Sequence, residues 1–257
     1  QTYYVYDLIG QLRFLLPPLL SKDYPSSIAL AQPSQGTLDI LSFQYRYDSR
    51  QRLSQEKGPG PDNDWVYYVY DQWDRLVAKQ DGVQRLKTPK EWNFIKYDAL
   101  NRPVITGIFK TTHSTHQNVI DAVTGSRFES ENTSPAGYTL TSSFPSTTQS
   151  GISSVDPLAI TYYDDYSFLG ISNWAVRVSQ YNPDTGNPLE NSLQILSAPK
   201  GMVTGTKILG KASNIWLPSV SYYDQKYNTV LTITQGSYHA KTDGSTSSTN
   251  TPDRFVN

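Results

Sequence analysis

Tyr68-Val69-Tyr70-Asp71-Gln72-Trp73-Asp74-Arg75-Leu76 decides the reading of the chain. Its frame is Tyr, any residue, Tyr, Asp, a short polar turn, a basic residue and an aliphatic one, and that frame recurs. It returns at Tyr4 to Leu12, at Tyr45 to Leu53 and, with Ile95 in place of the first tyrosine, at Ile95 to Val104. Looser copies stand at Tyr162-Tyr163-Asp164 and Tyr222-Tyr223-Asp224. Residues two apart point to one side of a strand, so Tyr68 with Tyr70, Tyr4 with Tyr6 and Tyr45 with Tyr47 predict aromatic ladders on a sheet face. The Asp that follows can accept hydrogen bonds from backbone amides two or three residues on, closing a turn. Three residues past each Asp stand Gly10, Gln51, Asp74 and Asn101. Three of these four residue types tolerate the left-handed backbone of a short hairpin loop. Arg52, Arg75 or Arg102 comes next, and Leu12, Leu53, Leu76 or Val104 opens the return strand. The unit is a β-hairpin whose turn is set by Asp.

The second tyrosines Tyr47, Tyr70 and Tyr97 are roughly two dozen residues apart, the spacing of stacked supersecondary units. Residues 1-110 read as such hairpins, with Pro17-Pro18 ending the first and Asp81-Gly82 marking a tight hairpin turn. Residues 19 to 40 are ambiguous, Ser26 to Ala31 being a candidate helical turn. Residues 111-156 form a Ser/Thr-rich insertion. In it Ser114 and Gln117 have capping-box spacing and Gly125 is a stop, which predicts one short helix near 115-124. Gly137-Tyr138-Thr139 and Ser143-Phe144-Pro145 read either as extended chain on the sheet or as a mobile loop. Hairpins resume over 157-236, with Trp174 to Val178 as a strand, and 237-257 reads as a flexible tail or the start of a further repeat. Trp65, Trp73 and Trp92 are expected to fill space between layers.

The composition is that of a globular chain: 257 residues, net charge -1, 37% hydrophobic and 12% aromatic. Nineteen Tyr against one Met, with 16 Gly and 16 Pro, favours turn-rich β structure over helix bundles. No basic run marks a nucleic-acid or anionic-membrane partner. The absence of cysteine excludes disulfides and thiolate metal sites. The apolar run Leu15 to Leu20 is broken by Pro17 and Pro18, so membrane insertion is not expected. Gln1 opens inside a repeat, as expected of a piece of a longer chain.

Candidate chemistry is sparse, and neither a catalytic residue nor a cofactor or metal ligand is assigned. Gly205 to Ala212 approaches a phosphate-binding loop. However, Ala212 replaces the magnesium-holding hydroxyl, and Ile208-Leu209 sit where phosphate would be wrapped, so a strand flanked by glycines is the better reading. His113, His116 and His239 lack metal-binding spacing and read as surface polar residues. Asp156 with Asp164-Asp165 invites a carboxylate pair, which needs a separation of roughly 5 to 9.5 Å; adjacent strand residues face opposite ways, and turn capping already accounts for Asp164. Asp62-Asn63-Asp64 lacks the downstream Gly and Glu of a calcium loop. Exposed Tyr and Trp could stack on sugars, though core packing is the commoner use of such rings.

The framed copies resemble the YD repeats of Rhs-type proteins. The Asp-x-x-Gly-Arg-Leu core of that family is matched best at Tyr70 to Leu76 and Tyr47 to Leu53. Only Gly10 keeps the turn glycine, and Tyr227 stands where one is expected after Asp224. Asn101 to Gly107, Tyr162 to Tyr166 and Gly205 to Gly210 with Trp216-Leu217 extend the likeness over most of the chain. The repeat-motif residues it carries over, all structural, are Tyr6, Asp7, Gly10, Tyr47, Asp48, Arg52, Tyr70, Asp71, Arg75, Tyr97, Asp98, Arg102, Tyr163, Asp164, Tyr223 and Asp224. The family's repeat is shared with the shells of Tc toxin C-components and teneurins. The resemblance therefore implies an all-β curled sheet forming part of a cocoon, secreted or on the bacterial cell surface. Such a cocoon encloses a polypeptide cargo, often a toxic C-terminal domain of a polymorphic toxin. Its expected partners are neighbouring repeats of the same longer chain, an encapsulated polypeptide or secretion machinery, and a glycan. A carbohydrate-binding or adhesive surface module, or an exported substrate held in a larger secretion assembly, are the alternatives.

Overall fold

A computed structural model describes residues 1–23, 33–132, 134, 136–171, 181–210, 214–234 and 253–256. Among these residues the chain is all-β, an antiparallel sheet of 13 strands whose order is the order of the sequence. The strands are β1 (Tyr3–Tyr6), β2 (Leu12–Leu16), β3 (Phe43–Tyr47), β4 (Leu53–Lys57), β5 (Val66–Tyr70), β6 (Leu76–Gln80) and β7 (Lys90–Tyr97). They continue as β8 (Pro103–Thr111), β9 (Ile152–Tyr163), β10 (Val203–Gly210), β11 (Ile215–Tyr223), β12 (Thr229–Thr234) and β13 (Asp253–Val256). The helices are short: α1 (Pro18–Asp23), α2 (Gln35–Leu41), α3 (Gly82–Leu86), α4 (His116–Asp121), α5 (Pro188–Asn191) and a 3-10 turn at Ser167–Gly170.

The tyrosine frame builds its hairpins with one register. Tyr6 pairs with Leu12, Tyr47 with Leu53, Tyr70 with Leu76 and Tyr223 with Thr229, and in each case the register shifts between that tyrosine and the residue before it. A bulge at a fixed place in four hairpins adds twist and aims each turn in the same way. It is a property of the frame.

The chain packs as two compact units. The first comprises Gln1–Phe94, Ile108–Thr124 and Thr147–Val155. Its core holds Val69, Val77, Ala78, Trp92, Phe94, Phe109 and Val119, with Trp92 and Phe109 stacked at 6.2 Å. Helix α4 packs on β5, where the Tyr67 ring lies 4.6 Å from that of His116. Since Tyr67 and Val69 face that side, Tyr68 and Tyr70 occupy the opposite face. The ladders are thus not core: Tyr4 and Tyr6 are each 56% exposed, and Tyr45, Tyr47, Tyr68 and Tyr70 are half-buried.

The second unit comprises Ile95–Gly107, Gly125–Ser146 and Asp156–Asn257. Tyr138, Tyr162 and Phe168 form a buried stack with centroids 5.7 and 4.5 Å apart. Val220, Leu231 and Ile233 complete the apolar layer under β11 and β12. The insertion packs closely on this unit: Phe144 is buried, Glu131 bridges Tyr138, and the Glu129 N–H donates to the Tyr97 carbonyl at 2.9 Å. Tyr138 lies in an isolated bridge, whereas Ser143-Phe144-Pro145 is a bend with a cis peptide before Pro145 and not extended chain.

Several local expectations are corrected. Asp81-Gly82 does not close a hairpin; Asp81 caps α3. Its carboxylate accepts from the Gln84 N–H at 2.8 Å, and the Gln84 side chain accepts from the Asp81 N–H at 3.1 Å. That reciprocal pair makes one helical turn cheaper than a two-residue loop. The helix near 115-124 is present as α4, but its cap is Thr115, which accepts from the Asn118 N–H, one residue later than Ser114. Helices α1, α2, α3 and α5 were not expected; α2 is capped by Ser34, which accepts from the Thr37 N–H. Trp92 is buried between layers, whereas Trp73 is 40% exposed and Trp65 lies under the Arg46 guanidinium at 4.0 Å. The expectations for Ser26 to Ala31, Trp174 to Val178 and the stretch from Ser237 to Thr251 fall outside the described residues.

Candidate functional site

The repeated feature of the molecule is its turn. At Asp7, Asp48, Asp71, Asp98 and Asp224 the backbone N–H donates to the carbonyl four residues on, at 2.9 to 3.0 Å, and the residue three on donates back to the Asp carbonyl. Two amides in each loop remain without a backbone acceptor, and the Asp carboxylate takes both. Asp71 Oδ1 accepts from Trp73 N at 2.9 Å and Arg75 N at 3.0 Å. Asp48 accepts from Arg50 and Arg52, Asp98 from Leu100 and Arg102, Asp7 from Ile9 and Gln11, and Asp224 from Lys226 and Asn228, all between 2.8 and 3.1 Å. Charge-assisted bonds to both inward amides fix the loop. The requirement for an acidic residue after the tyrosine follows from this.

The residue three past the Asp is left-handed every time: Gly10, Gln51, Asp74, Asn101 and Tyr227 have φ of 82, 64, 63, 64 and 64°. Gln51 and Tyr227 carry the steric cost that Gly10 avoids. Replacing Gln51 or Tyr227 with Gly is expected to stabilise the protein by about 0.5 kcal/mol, the relief of strain exceeding the added freedom of the unfolded chain. Gly10→Ala is expected to cost about 1 kcal/mol, because a Cβ there meets nothing within 4 Å and only the backbone pays. Denaturant midpoints of the three variants check the pattern; a loss on Gln51→Gly would contradict it.

The other frame residues tie one hairpin to the next. Arg52 Nε donates to Asp48 Oδ2 of its own turn at 2.8 Å, while its Nη1 reaches the following turn at Asp74 Oδ1 (2.7 Å) and the Asp71 carbonyl (3.2 Å). Its guanidinium also lies 4.6 Å from the centroid of the Tyr70 ring. Arg102 repeats the arrangement: Nε to Asp98 at 2.7 Å, both terminal nitrogens to Asp164 at 2.9 and 2.7 Å, and the plane 4.2 Å over Tyr163. Arg75 likewise holds Asp71 of its own turn at 2.8 Å. The second tyrosine works in the other direction. Tyr47 OH donates to the Leu12 carbonyl, Tyr70 to Leu53, Tyr163 to Pro103 and Tyr223 to Val203, at 2.7 to 3.0 Å. Each is the opening residue of the preceding return strand or, for Val203, of β10. Arginine forward and tyrosine backward staple successive hairpins.

Asp164 departs from the frame. It does not close a turn of its own: it lies just past β9, has φ of 71°, and accepts from Arg102 and from the Gly201 N–H at 2.7 Å. The segment from Asp164 to β10 replaces the short loop, so this aspartate holds the preceding repeat's arginine and the Gly201 amide instead of closing a turn.

The insertion is pinned by a buried ion pair. Lys96 Nζ donates to Glu129 Oε1 (2.6 Å), Ser143 O (2.8 Å) and Leu140 O (2.9 Å), using all three of its protons. Glu129 also accepts from the amides of Ser142 and Ser143 and from the hydroxyls of Thr139 and Ser143. Both side chains are fully buried. Burial pulls the Lys96 ammonium down. It also works against the Glu129 carboxylate, but Lys96, Thr139 and Ser143 outweigh it and hold Glu129 below the usual range. Nothing in the local sequence pattern predicted this pair, since 33 residues separate its members.

The remaining sequence candidates are accounted for. Val203–Gly210 is strand β10, and Gly205 packs against the Phe168 ring, so no phosphate loop forms. Asp64 is engaged by Arg85 at 2.9 Å and by the Trp65 N–H at 2.7 Å. His116 is not a surface residue: it is half-buried between rings, with Nε2 at 3.0 Å from the Tyr68 carbonyl. Among the described residues no cluster of three or more His, Cys, Asp or Glu could hold a metal ion.

These contacts set a pH response. Burial works against the Asp48 carboxylate, but Arg52 and the turn amides hold its pKa below the ordinary 3.8. The side chains of Arg102 and Arg254 likewise lower Asp164 and Glu190. For a carboxyl depressed on folding, its contribution is present above the unfolded pKa and lost as pH falls through the folded value. Stability is therefore expected to collapse below about pH 4. His116, which burial and then Arg85 hold below 6.5 despite its bond to the Tyr68 carbonyl, adds a shallower decline as pH falls past that value. Urea midpoints from pH 7 to 2.5 check this, and a constant midpoint down to pH 3 would contradict it.

No protein-family model matches the sequence, and no curated protein matches it. Among solved structures, the chain is similar to TcdB2-TccC3-TEV at 10% identity and a TM-score of 0.39, and to TcdB2-TccC3 without hypervariable C-terminal region at 11% and 0.40. Each match covers 91% of this chain and 11% of the other, so the chain spans about a tenth of the length of the chains it matches.

Proposed function

We propose that this chain is a stretch of wall in an Rhs-type shell: a non-catalytic structural segment of a secreted or cell-surface protein that encloses or presents a polypeptide. The observation that carries the reading is the recurrence of one turn, five times, on strands that follow one another in chain order. Arg52 and Arg102 reaching forward, and Tyr47, Tyr70, Tyr163 and Tyr223 reaching back, join a hairpin to its neighbour, which is how a wall is assembled from one module. The carboxylates of the turns are engaged: Asp48, Asp71, Asp98 and Asp164 hold arginines. A sugar-binding role is less favoured, because one face of Tyr68, Tyr70 and Tyr163 is already occupied by Lys79, Arg52 and Arg102.

Protease protection tests the proposal. The full-length gene product is digested with a broad-specificity protease, and the survival of any segment outside the repeats is compared with that of the same segment expressed alone. Enclosure requires the segment to survive only in the intact protein. Equal digestion in both settings overturns it.

A further inference from the structure

Helix α4 packs on β5 with Val119 fully buried and His116 set in a slot of aromatic rings, 4.6 Å from Tyr67 and 6.1 Å from Trp92. Polar contacts fix the imidazole further: Nε2 stands 3.0 Å from the Tyr68 carbonyl and Nδ1 3.4 Å from Gln55 Nε2. The carbonyl can only accept and the amide nitrogen can only donate, so Nε2 carries the proton and Nδ1 is bare. Arg46 Nη1 donates to Gln55 Oε1 at 3.1 Å, which turns the amide with its NH2 group toward the histidine. The slot is cut for a neutral imidazole.

A second proton would set an N–H on Nδ1 against that NH2 group, and a positive charge among positive neighbours. Arg85 of α3 lies 3.9 Å from the centroid of the same Tyr67 ring, and its carboxylate partner Asp64 is already engaged at 2.9 Å. Lys90 of β7 and His113, on the chain leading into α4, line the cavity of about 220 Å3 beside the imidazole, and no Asp or Glu lines it. Glu56 of β4 is bonded to the Tyr68 hydroxyl on the opposite face of the sheet. Asp121 of α4 itself is exposed and accepts from Gln117 at 2.8 Å. His116 is also the first residue of α4, where a helix presents its positive end. Against these stands the Tyr68 carbonyl; burial, and then Arg85, outweigh it and hold the imidazole below 6.5.

We propose that α4 is a pH-controlled latch: neutral His116 holds it on β5, and the imidazolium releases it, uncovering Tyr67 and Trp92 while the strands beneath stay paired. The sign follows from linkage. A ring that binds its proton less tightly when docked stabilises docking above about pH 6.5, and that contribution is lost as pH falls through the docked value. The turn carboxylates remain ionised down to about pH 4, so the latch opens before the row of turns is touched. The latch does not rest on the shell reading, and protease protection can fail while the latch works.

Hydrogen exchange of the full-length protein at pH 7.5 and pH 5, corrected for the intrinsic rate, tests it. The amides of Asn118 and Ala122, which donate to Thr115 Oγ1 and the Asn118 carbonyl, should exchange about tenfold faster at pH 5. Val69 and Ala78, paired across β5 and β6, should keep their rates. His116→Phe leaves a ring in the slot that takes no proton, so the difference between the two pH values should vanish; a response that persists would belong to His113 and overturn the proposal. Gln55→Glu sets a carboxylate beside Nδ1, favours the imidazolium and should keep α4 closed at pH 5. That variant decides the question if His116→Phe exchanges fast at both pH values. Exchange in α4 that is unchanged at pH 5, that rises only together with Val69 and Ala78, or that still rises in Gln55→Glu overturns the proposal.

Discussion

Asp71→Ala is expected to destabilise the protein by about 3 kcal/mol, well beyond the loss of an exposed helix cap. Asp71 is 6% exposed, and its carboxylate is the acceptor for two loop amides and for Arg75. Alanine leaves both amides and a guanidinium without that acceptor, and each unmade bond to a buried donor costs about 1 to 3 kcal/mol, partly offset by water entering the loop. Asp71→Asn keeps an acceptor for the amides and gives up only the charge facing Arg75, so about half the loss is expected. Asp224→Ala, at an exposed turn where Asn228 replaces the arginine, should produce a smaller fall. Urea midpoints of the three variants check the ranking. Asp71→Ala matching Asp224→Ala would show that burial of the lock contributes nothing.

Lys96→Met is expected to be the most damaging single change, at about 3 to 5 kcal/mol, because it strands a charged carboxylate that is fully buried. Glu129 would keep its amide and hydroxyl donors but lose its counter-charge, so its pKa must rise. The damage should be concentrated in the insertion, since Lys96 also holds the carbonyls of Leu140 and Ser143. Hydrogen exchange at the amides of Ser142 and Ser143 should accelerate before that of β11 and β12. Adding Glu129→Gln to Lys96→Met removes the stranded charge and should recover about 1 to 2 kcal/mol. If Lys96→Met unfolds at the wild-type midpoint, the pair does not pin the insertion.

What could be read from the sequence was whatever repeats at short range. The Tyr-x-Tyr-Asp frame gave strand, turn and return strand together, because a carboxylate, a left-handed position and a period-two ladder all act within nine residues. The same locality gave α4, although the choice between Ser114 and Thr115 as cap turned on backbone angles that the letters do not carry. Asp81-Gly82 misled because the pair serves a hairpin and a helix start equally well; only Gln84, three residues on, distinguished them. The staples were hidden for a different reason. Arg52 to Asp74 and Tyr70 to Leu53 join neighbouring hairpins, so their geometry exists only once the strands have paired. Lys96 with Glu129 depends on a contact between residues far apart in the chain. Asp164 shows the limit of the frame: it has the letters of a turn lock but a long excursion in place of the loop, and its carboxylate serves Arg102 instead.

Electron cryomicroscopy of the full-length gene product tests the wall reading most directly. The account predicts that these hairpins form part of a closed shell, with further repeats bonded to β1 in the Tyr-to-carbonyl manner of Tyr47 and Tyr70, and with polypeptide density inside. A sheet whose two faces and β1 edge are open to solvent, enclosing nothing, would contradict it.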